Sequence, residues 1–142
     1  MIDGSYSIKG SYTGANTYTP YLETVSSVLP LTPTHEYKVT FRYKILNTPT
    51  NGFETLFYSP TGGAAGSFLP STVITGQAGD SGTATLTNTL GPYSDYEARW
   101  DVPGAGAISI DDIEIIDVAS GKVIASATAE PLLPSPLSIV LP

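Results

Sequence analysis

Single alternation of apolar and polar residues dominates this chain, and alternation with a period of two marks β-strands. It is clearest from His35 to Leu46, where Tyr37, Val39, Phe41, Tyr43 and Ile45 share one side and Lys38, Thr40, Arg42 and Lys44 the other. Gly4 to Lys9 reads as a first strand, and residues 18–28 as a second strand or a pair of short ones. Further strands are predicted for Phe53 to Ser59, Phe68 to Ile74, Thr83 to Leu90, Tyr93 to Val102, Ala107 to Asp117 and Lys122 to Ala127. Thr83, Thr85, Thr87 and Thr89 form a solvent-facing stripe, while Tyr96, Ala98, Trp100 and Val102 point inward and Asp95, Glu97, Arg99 and Asp101 outward. No segment holds a 3.6-residue period for three turns. About nine strands separated by Gly and Pro turns therefore predict an all-β chain, a two-sheet β-sandwich with jelly-roll topology.

The alternation breaks at one place. Ile108 and Ile110 lie on one side, Asp111-Asp112 interrupts, and Ile113 and Ile115 resume around Glu114. Two carboxylates in mid-strand are costly to bury unpaired, so either a bulge turns one outward or a bound cation neutralises it. Calcium, with its all-oxygen coordination, is the natural candidate. Asp112 would be a ligand, joined by Asp3 or by carbonyls near Gly4 if the first strand runs beside this one. The competing reading is a carboxylate that accepts backbone N–H groups at a bulge.

The turn Asn47 to Gly52 makes Phe53 to Ser59 the hairpin partner of the long strand. With Lys44 facing Glu54, Leu56 and Tyr58 share the polar side with Arg42 and Lys38, which leaves Tyr58 exposed. Tyr58 with Arg42, Glu54, Arg99 and Glu97 then makes a platform for a saccharide: the ring takes sugar C–H groups and the charged groups take hydroxyls. The same residues also describe an ordinary solvated face laced by ion pairs.

Composition narrows the function. The 142 residues carry a net charge of -7 and only six Lys and Arg, which argues against a nucleic-acid partner. His35 is the one histidine and Cys is absent, so nucleophilic triads have at most one base. Asp111 and Asp112 are adjacent, and Glu54 and Glu97 are better placed for ion pairs than for acid–base work, so no enzyme is expected. Residues 129–142, with Pro131, Pro134, Pro136 and Pro142 and almost no charge, read as a linker or tail after a sandwich spanning residues 1–128. That tail is too short for a membrane span. Met1-Ile2-Asp3-Gly4 lacks the basic start and apolar run of a signal peptide, and a module from a longer extracellular protein is the expectation.

Several stretches together carry a resemblance. The turn from Gly104 to Gly106 runs into Ile-Ser-Ile-Asp-Asp-Ile-Glu-Ile, behind Tyr37-Lys38-Val39-Thr40-Phe41-Arg42-Tyr43-Lys44 and the opening Gly4-Ser5-Tyr6-Ser7-Ile8-Lys9-Gly10. The chain so resembles jelly-roll carbohydrate-binding modules of the family 4, 9, 16 and 22 group over about its first 128 residues. The resemblance implies a secreted, non-catalytic, often calcium-stabilised module that holds a polysaccharide or oligosaccharide against a tethered catalytic domain. The alternative is a structural β-sandwich spacer or interaction domain that binds no sugar.

Overall fold

The computed structural model describes residues 8–12, 19–62, 69–127 and 138–139, with backbone alone for 8–12, 19 and 138–139. Their regular elements are all strands: β1 (Ile8–Tyr12), β2 (Thr19–Thr24), β3 (Glu36–Asn47), β4 (Phe53–Tyr58), β5 (Thr72–Ile74), β6 (Ser81–Thr89), β7 (Glu97–Val102), β8 (Gly106–Asp117), β9 (Lys122–Ala127) and β10 (Ser138–Ile139). They form two five-stranded sheets. In the β3 sheet the order is β1-β8-β3-β6, with β9 pairing the second half of β8. In the β7 sheet it is β10-β2-β7-β4-β5. The pairings are antiparallel except β10 with β2. The predicted two-sheet sandwich is what forms.

The apolar side of each alternating strand supplies the interior. Tyr37, Val39, Phe41 and Ile45 from β3, Ile108, Ile110, Ile113 and Ile115 from β8, and Ala98, Trp100 and Val102 from β7 are buried in one cluster. Trp100 meets Phe41 of the opposite sheet edge-on, with ring centres 5.9 Å apart at 77°, an arrangement favoured by the ring quadrupoles. The threonine stripe of β6 faces solvent, as its alternation requires.

The phase break in β8 is a bulge. Thr40 pairs with Glu114 and Arg42 with Asp111, so Asp112 and Ile113 together face the single residue Phe41. Asp112 takes a left-handed conformation at φ 50°, which Asp tolerates better than most residues. The backbone N–H of Asp112 donates to Asp111 Oδ1 at 2.8 Å. Asp112 is thereby turned outward and the isoleucines on either side both stay in the core.

Two local expectations are corrected. β3 and β4 are not a hairpin: β3 has β6 on one edge and β8 on the other, so it has no edge left, and the chain crosses to pair β4 with β7 and β5. Lys44 consequently lies opposite Ser81 and Ser109, and Glu54 opposite Asp101 and Val73. The strand drawn from Phe68 to Ile74 is confined, among the described residues, to Thr72–Ile74. Ser138–Ile139, inside the segment read as a tail, adds a parallel strand against Glu23 and Thr24.

The crossing is clasped at the end of the sandwich. Thr50 N–H donates to the Ala105 carbonyl at 3.0 Å, and Ala105 N–H to Thr50 Oγ1 at 2.9 Å. Gly52, directly before β4, has φ 77°, and a Cβ there would lie 2.7 Å from Val73 Cγ1. Only glycine suits that position.

Candidate functional site

The outward side of the β7 sheet gathers most of the chemistry. On β4 the outward residues are Glu54, Leu56 and Tyr58, and their partners on β7 are Asp101, Arg99 and Glu97. On β2, Glu23 pairs with Arg99, and a bulge between Pro20 and Leu22 carries Tyr21 onto the same side. The inward residues of these strands, Phe53, Phe57, Ala98, Trp100 and Leu22, are core. The strict alternation of β4 and β7 is what sends every charge to one face.

Arg99 organises that face. Its Nε donates to Asp101 Oδ1 at 2.7 Å, and its guanidinium carbon lies 5.1 Å from the centre of the Tyr58 ring. A fixed cation over a ring is attracted to the ring's negative face. Asp101 is 1 % exposed, so the ion pair anchoring Arg99 is screened from water. Leu56, across the ladder from Arg99, is also buried.

Glu97, Glu54 and Asp101 hold their protons more tightly than usual. Burial and, after it, the charge of Glu23 push Glu97 up to about 7. Burial raises Glu54, partly offset by a 3.3 Å hydrogen bond from Ser71. Burial also raises Asp101, against the hydrogen bond and charge of Arg99. The Tyr21 phenol is pushed above its ordinary range by burial and by Asp101, so it stays a neutral donor. Four carboxyl groups around one guanidinium give a face rich in acceptors, with Glu97 able to accept or donate near neutrality.

Of the predicted sugar-binding residues, Tyr58, Glu54, Arg99 and Glu97 are brought onto this one face. Arg42 is not. It belongs to the β3 sheet, on the opposite outer side of the sandwich, 3.6 Å from Asp112. The hairpin register that set it beside Tyr58 does not exist, because β3 and β4 lie in different sheets. Tyr58 itself is half-buried rather than exposed.

Tyr21, Glu23 and Asp101 were not among the residues predicted for the site. The alternation Tyr21-Leu22-Glu23-Thr24 gives a local signal for the first two, and Asp101 was recognised as outward-facing. What brings them to Tyr58 is the pairing of β2 and β4 on either side of β7, which no local pattern encodes. Glu54 and Glu97 lie four positions apart along the ladder, about 13 Å of strand. That exceeds the roughly 5 to 10 Å between glycosidase carboxyl groups.

At the β8 bulge, Asp112 and Glu114 line a cavity of about 240 Å³ with Ile113, Ser126 and Ala127. Along β8, the described pairing with β1 starts with Ile8 opposite Ile110 and that with β9 ends with Ala127 opposite Ile113, leaving Asp111 and Asp112 between them. Among the described residues no group of three or more His, Cys, Asp or Glu is placed to hold a metal. Asp3 and Gly4, the other predicted ligands, lie outside the described residues.

His35 Nδ1 is 3.0 Å from Asp117 Oδ2, an exposed pair that ties the start of β3 to the end of β8.

No family model matches the chain, and no curated protein matches it. The solved structures similar to it include two that cover about four fifths of the chain. One is described as "Family 16 Carbohydrate Binding Module-2", with 14% identity over 80% of this chain and 78% of that chain at a TM-score of 0.56. The other is described as "EclA C-terminal domain; sugar-binding protein", with 16% identity over 81% of each chain at a TM-score of 0.50. These likenesses establish the fold: the chain is a jelly-roll β-sandwich of the kind found in carbohydrate-binding modules.

Proposed function

We propose that this domain is a non-catalytic carbohydrate-binding module whose ligand lies across the outward side of the β7 sheet. The observation that carries the reading is the convergence of Tyr58, Arg99, Glu97 and Glu54 on one sheet face, in a fold shared with sugar-binding modules. A pyranose packs its C–H groups against Tyr58, and its hydroxyls donate to Glu54 and Glu97 and accept from Arg99. The excess of carboxyl groups favours a neutral oligosaccharide or polysaccharide over an acidic one. No bond is made or broken; the module raises the local concentration of a tethered catalytic domain at its polysaccharide, as part of an extracellular protein.

Calcium at the β8 bulge belongs to the same proposal. The donors there are oxygen only, which suits a hard cation, and the cavity beside Asp112 and Glu114 offers room. Asp112 would bind the ion with Asp3 and the Gly4 carbonyl, and the ion would stiffen the edge between β1 and β9.

Affinity electrophoresis against neutral xylan, β-glucan, mannan and galactan tests the reading. Retardation by at least one of them supports it. Failure to bind any neutral glycan favours a structural spacer.

A further inference from the structure

Cations are divided unevenly between the two sheets. Of the chain's six Lys and Arg, Lys9, Lys38, Arg42, Lys44 and Lys122 belong to β1, β3 and β9 of the β3 sheet, and Arg99 alone to the β7 sheet. The outward side of the β7 sheet carries four carboxyl groups, those of Glu23, Glu54, Glu97 and Asp101. Arg99 is bound through Nε to Asp101 at 2.7 Å, and Glu23, Glu54 and Glu97 form no ion pair among the described residues. Four carboxyl groups against one guanidinium leave three without a counter-charge.

That surplus is gathered at two places. At one end of the ladder Glu97, opposite Tyr58, lies within hydrogen-bonding reach of Glu23, and burial together with the Glu23 carboxylate keeps it protonated up to about 7. At the other end Glu54 faces Asp101, and burial first, then the Asp101 charge, disfavour its ionisation. Asp101 is 1 % exposed; Arg99 takes its Oδ1, and its Oδ2 finds no hydrogen-bond donor among the described residues. A buried carboxylate oxygen without a donor is costly, and crowded carboxylates oppose one another's ionisation. A ligand that brings positive charge and N–H donors relieves both.

The geometry selects among cations. A metal ion is the poorer match, since among the described residues no three of these groups are placed to hold one. An ammonium group is a compact charge with three donors, and a carboxyl pair can take it without enclosing it. The two carboxyl pairs stand about 13 Å of strand apart, so a molecule that repeats its amine along an extended chain meets both. The Tyr58 ring, with Arg99 stacked 5.1 Å from its centre, offers a flat surface that suits the C–H groups of a sugar ring.

We propose that the β7-sheet face selects a glycan whose sugars carry free amino groups, with ammonium groups seated on Glu23 with Glu97 and on Glu54 with Asp101. This rests on the sugar-binding reading of the same face and names its ligand class. The ammonium at Glu97 takes the place of the proton that Glu97 otherwise keeps, and the one at Glu54 supplies Asp101 with the counter-charge and donor that Arg99 leaves wanting.

The test is calorimetric titration of the full chain, at low salt and a pH that keeps amines protonated, with a β-1,4-linked glucosamine hexamer, with cellohexaose and with hexalysine. Cellohexaose differs from the glucosamine hexamer only in bearing a hydroxyl where each amine stands. The amine hexamer should bind about tenfold more tightly than cellohexaose or better, the effect of one hydrogen bond to a charged group, and added salt should narrow the gap. Glu23→Gln with Glu97→Gln keeps the size and an acceptor oxygen of each side chain and removes their repulsion, so the fold is preserved. That double variant should reduce the ratio to about threefold, because only the Glu54 seat keeps its charge. Glu36→Gln, exposed on β3 of the other sheet, should leave the ratio unchanged. Equal affinity for the two sugar hexamers, an unchanged ratio in the double variant, or hexalysine bound as tightly as the amine hexamer would overturn the amine seats. Retention of a neutral glycan without any binding of the amine hexamer would overturn them and leave the sugar platform standing, whereas no binding of any glycan would overturn both.

Discussion

The guanidinium of Arg99 sits 5.1 Å above the ring of Tyr58 while its Nε is bound at 2.7 Å by Asp101. Asp101 thereby fixes the cation that orients the aromatic residue at the proposed sugar platform. Removing Arg99 leaves a nearly inaccessible carboxylate without its counter-charge, a loss that typically costs about 3 to 5 kcal/mol. Arg99→Ala should destabilise the domain on that scale in urea denaturation, and adding Asp101→Asn should restore a large part of it. Equal stability of Arg99→Ala and wild type would remove Arg99 from this role.

Glu97 makes stability depend on pH. Its carboxyl titrates at about 7 in the folded protein against an ordinary value of 4.5, so between those values the folded state holds more protons than the unfolded chain. Stability then falls as pH rises through that window, being fully present below about 4.5 and lost above about 7. Asp95, held low by hydrogen bonds from Ser59 and Thr61, and Asp117, held low by His35, act in the opposite sense and only at acid pH. Melting temperatures measured from about pH 5 to pH 8 should decline for the wild type and flatten for Glu97→Gln. An unchanged decline in the variant would assign it to another group.

Lys44 and Glu54 should show no energetic coupling. They lie in different sheets, so a double-mutant cycle should give zero within about 0.3 kcal/mol. A coupling near that of an exposed cross-strand pair, about 0.5 kcal/mol, would contradict the chain crossing after β3.

That crossing also shows what the sequence could and could not reveal. Alternation within β3, β6 and β7 correctly separated Phe41 and Trp100 from Arg42, Thr85 and Arg99, because side-chain facing is a local property of a strand. The paired aspartates announced the bulge, since a phase break has few other physical remedies. Pairing partners are non-local. β4 and β3 are neighbours in sequence with a plausible turn between them, yet β8 and β6, from far along the chain, saturate both edges of β3. Hence the joining of Tyr58 to Arg99 was legible from β4 and β7 as outward rows, while its joining to Arg42 was not real and its proximity to Tyr21 and Glu23 was invisible.

Calcium should raise the melting temperature and a chelator lower it, because an ion that binds only the folded state stabilises by mass action, about 2.7 kcal/mol at a hundredfold excess over Kd. Asp112→Ala should abolish the difference. Asp95→Ala should lower both melting temperatures, through loss of its bonds to Ser59 and Thr61, and preserve the gap between them. Identical melting with calcium and with chelator would leave the β8 bulge held by Asp111 and by the Arg42–Asp112 pair alone.

The most direct test of sugar binding on the β7 sheet is calorimetric titration of wild type, Tyr58→Ala and Arg42→Ala with the neutral glycan that retards the wild type. Losing the packing of one aromatic ring costs about 1 to 3 kcal/mol, and each 1.4 kcal/mol is a factor of about ten in Kd. The account predicts that Tyr58→Ala weakens binding tenfold or more with an unchanged circular dichroism spectrum, while Arg42→Ala, on the opposite side of the sandwich, binds like wild type. Full affinity in Tyr58→Ala, or a loss confined to Arg42→Ala, would contradict it.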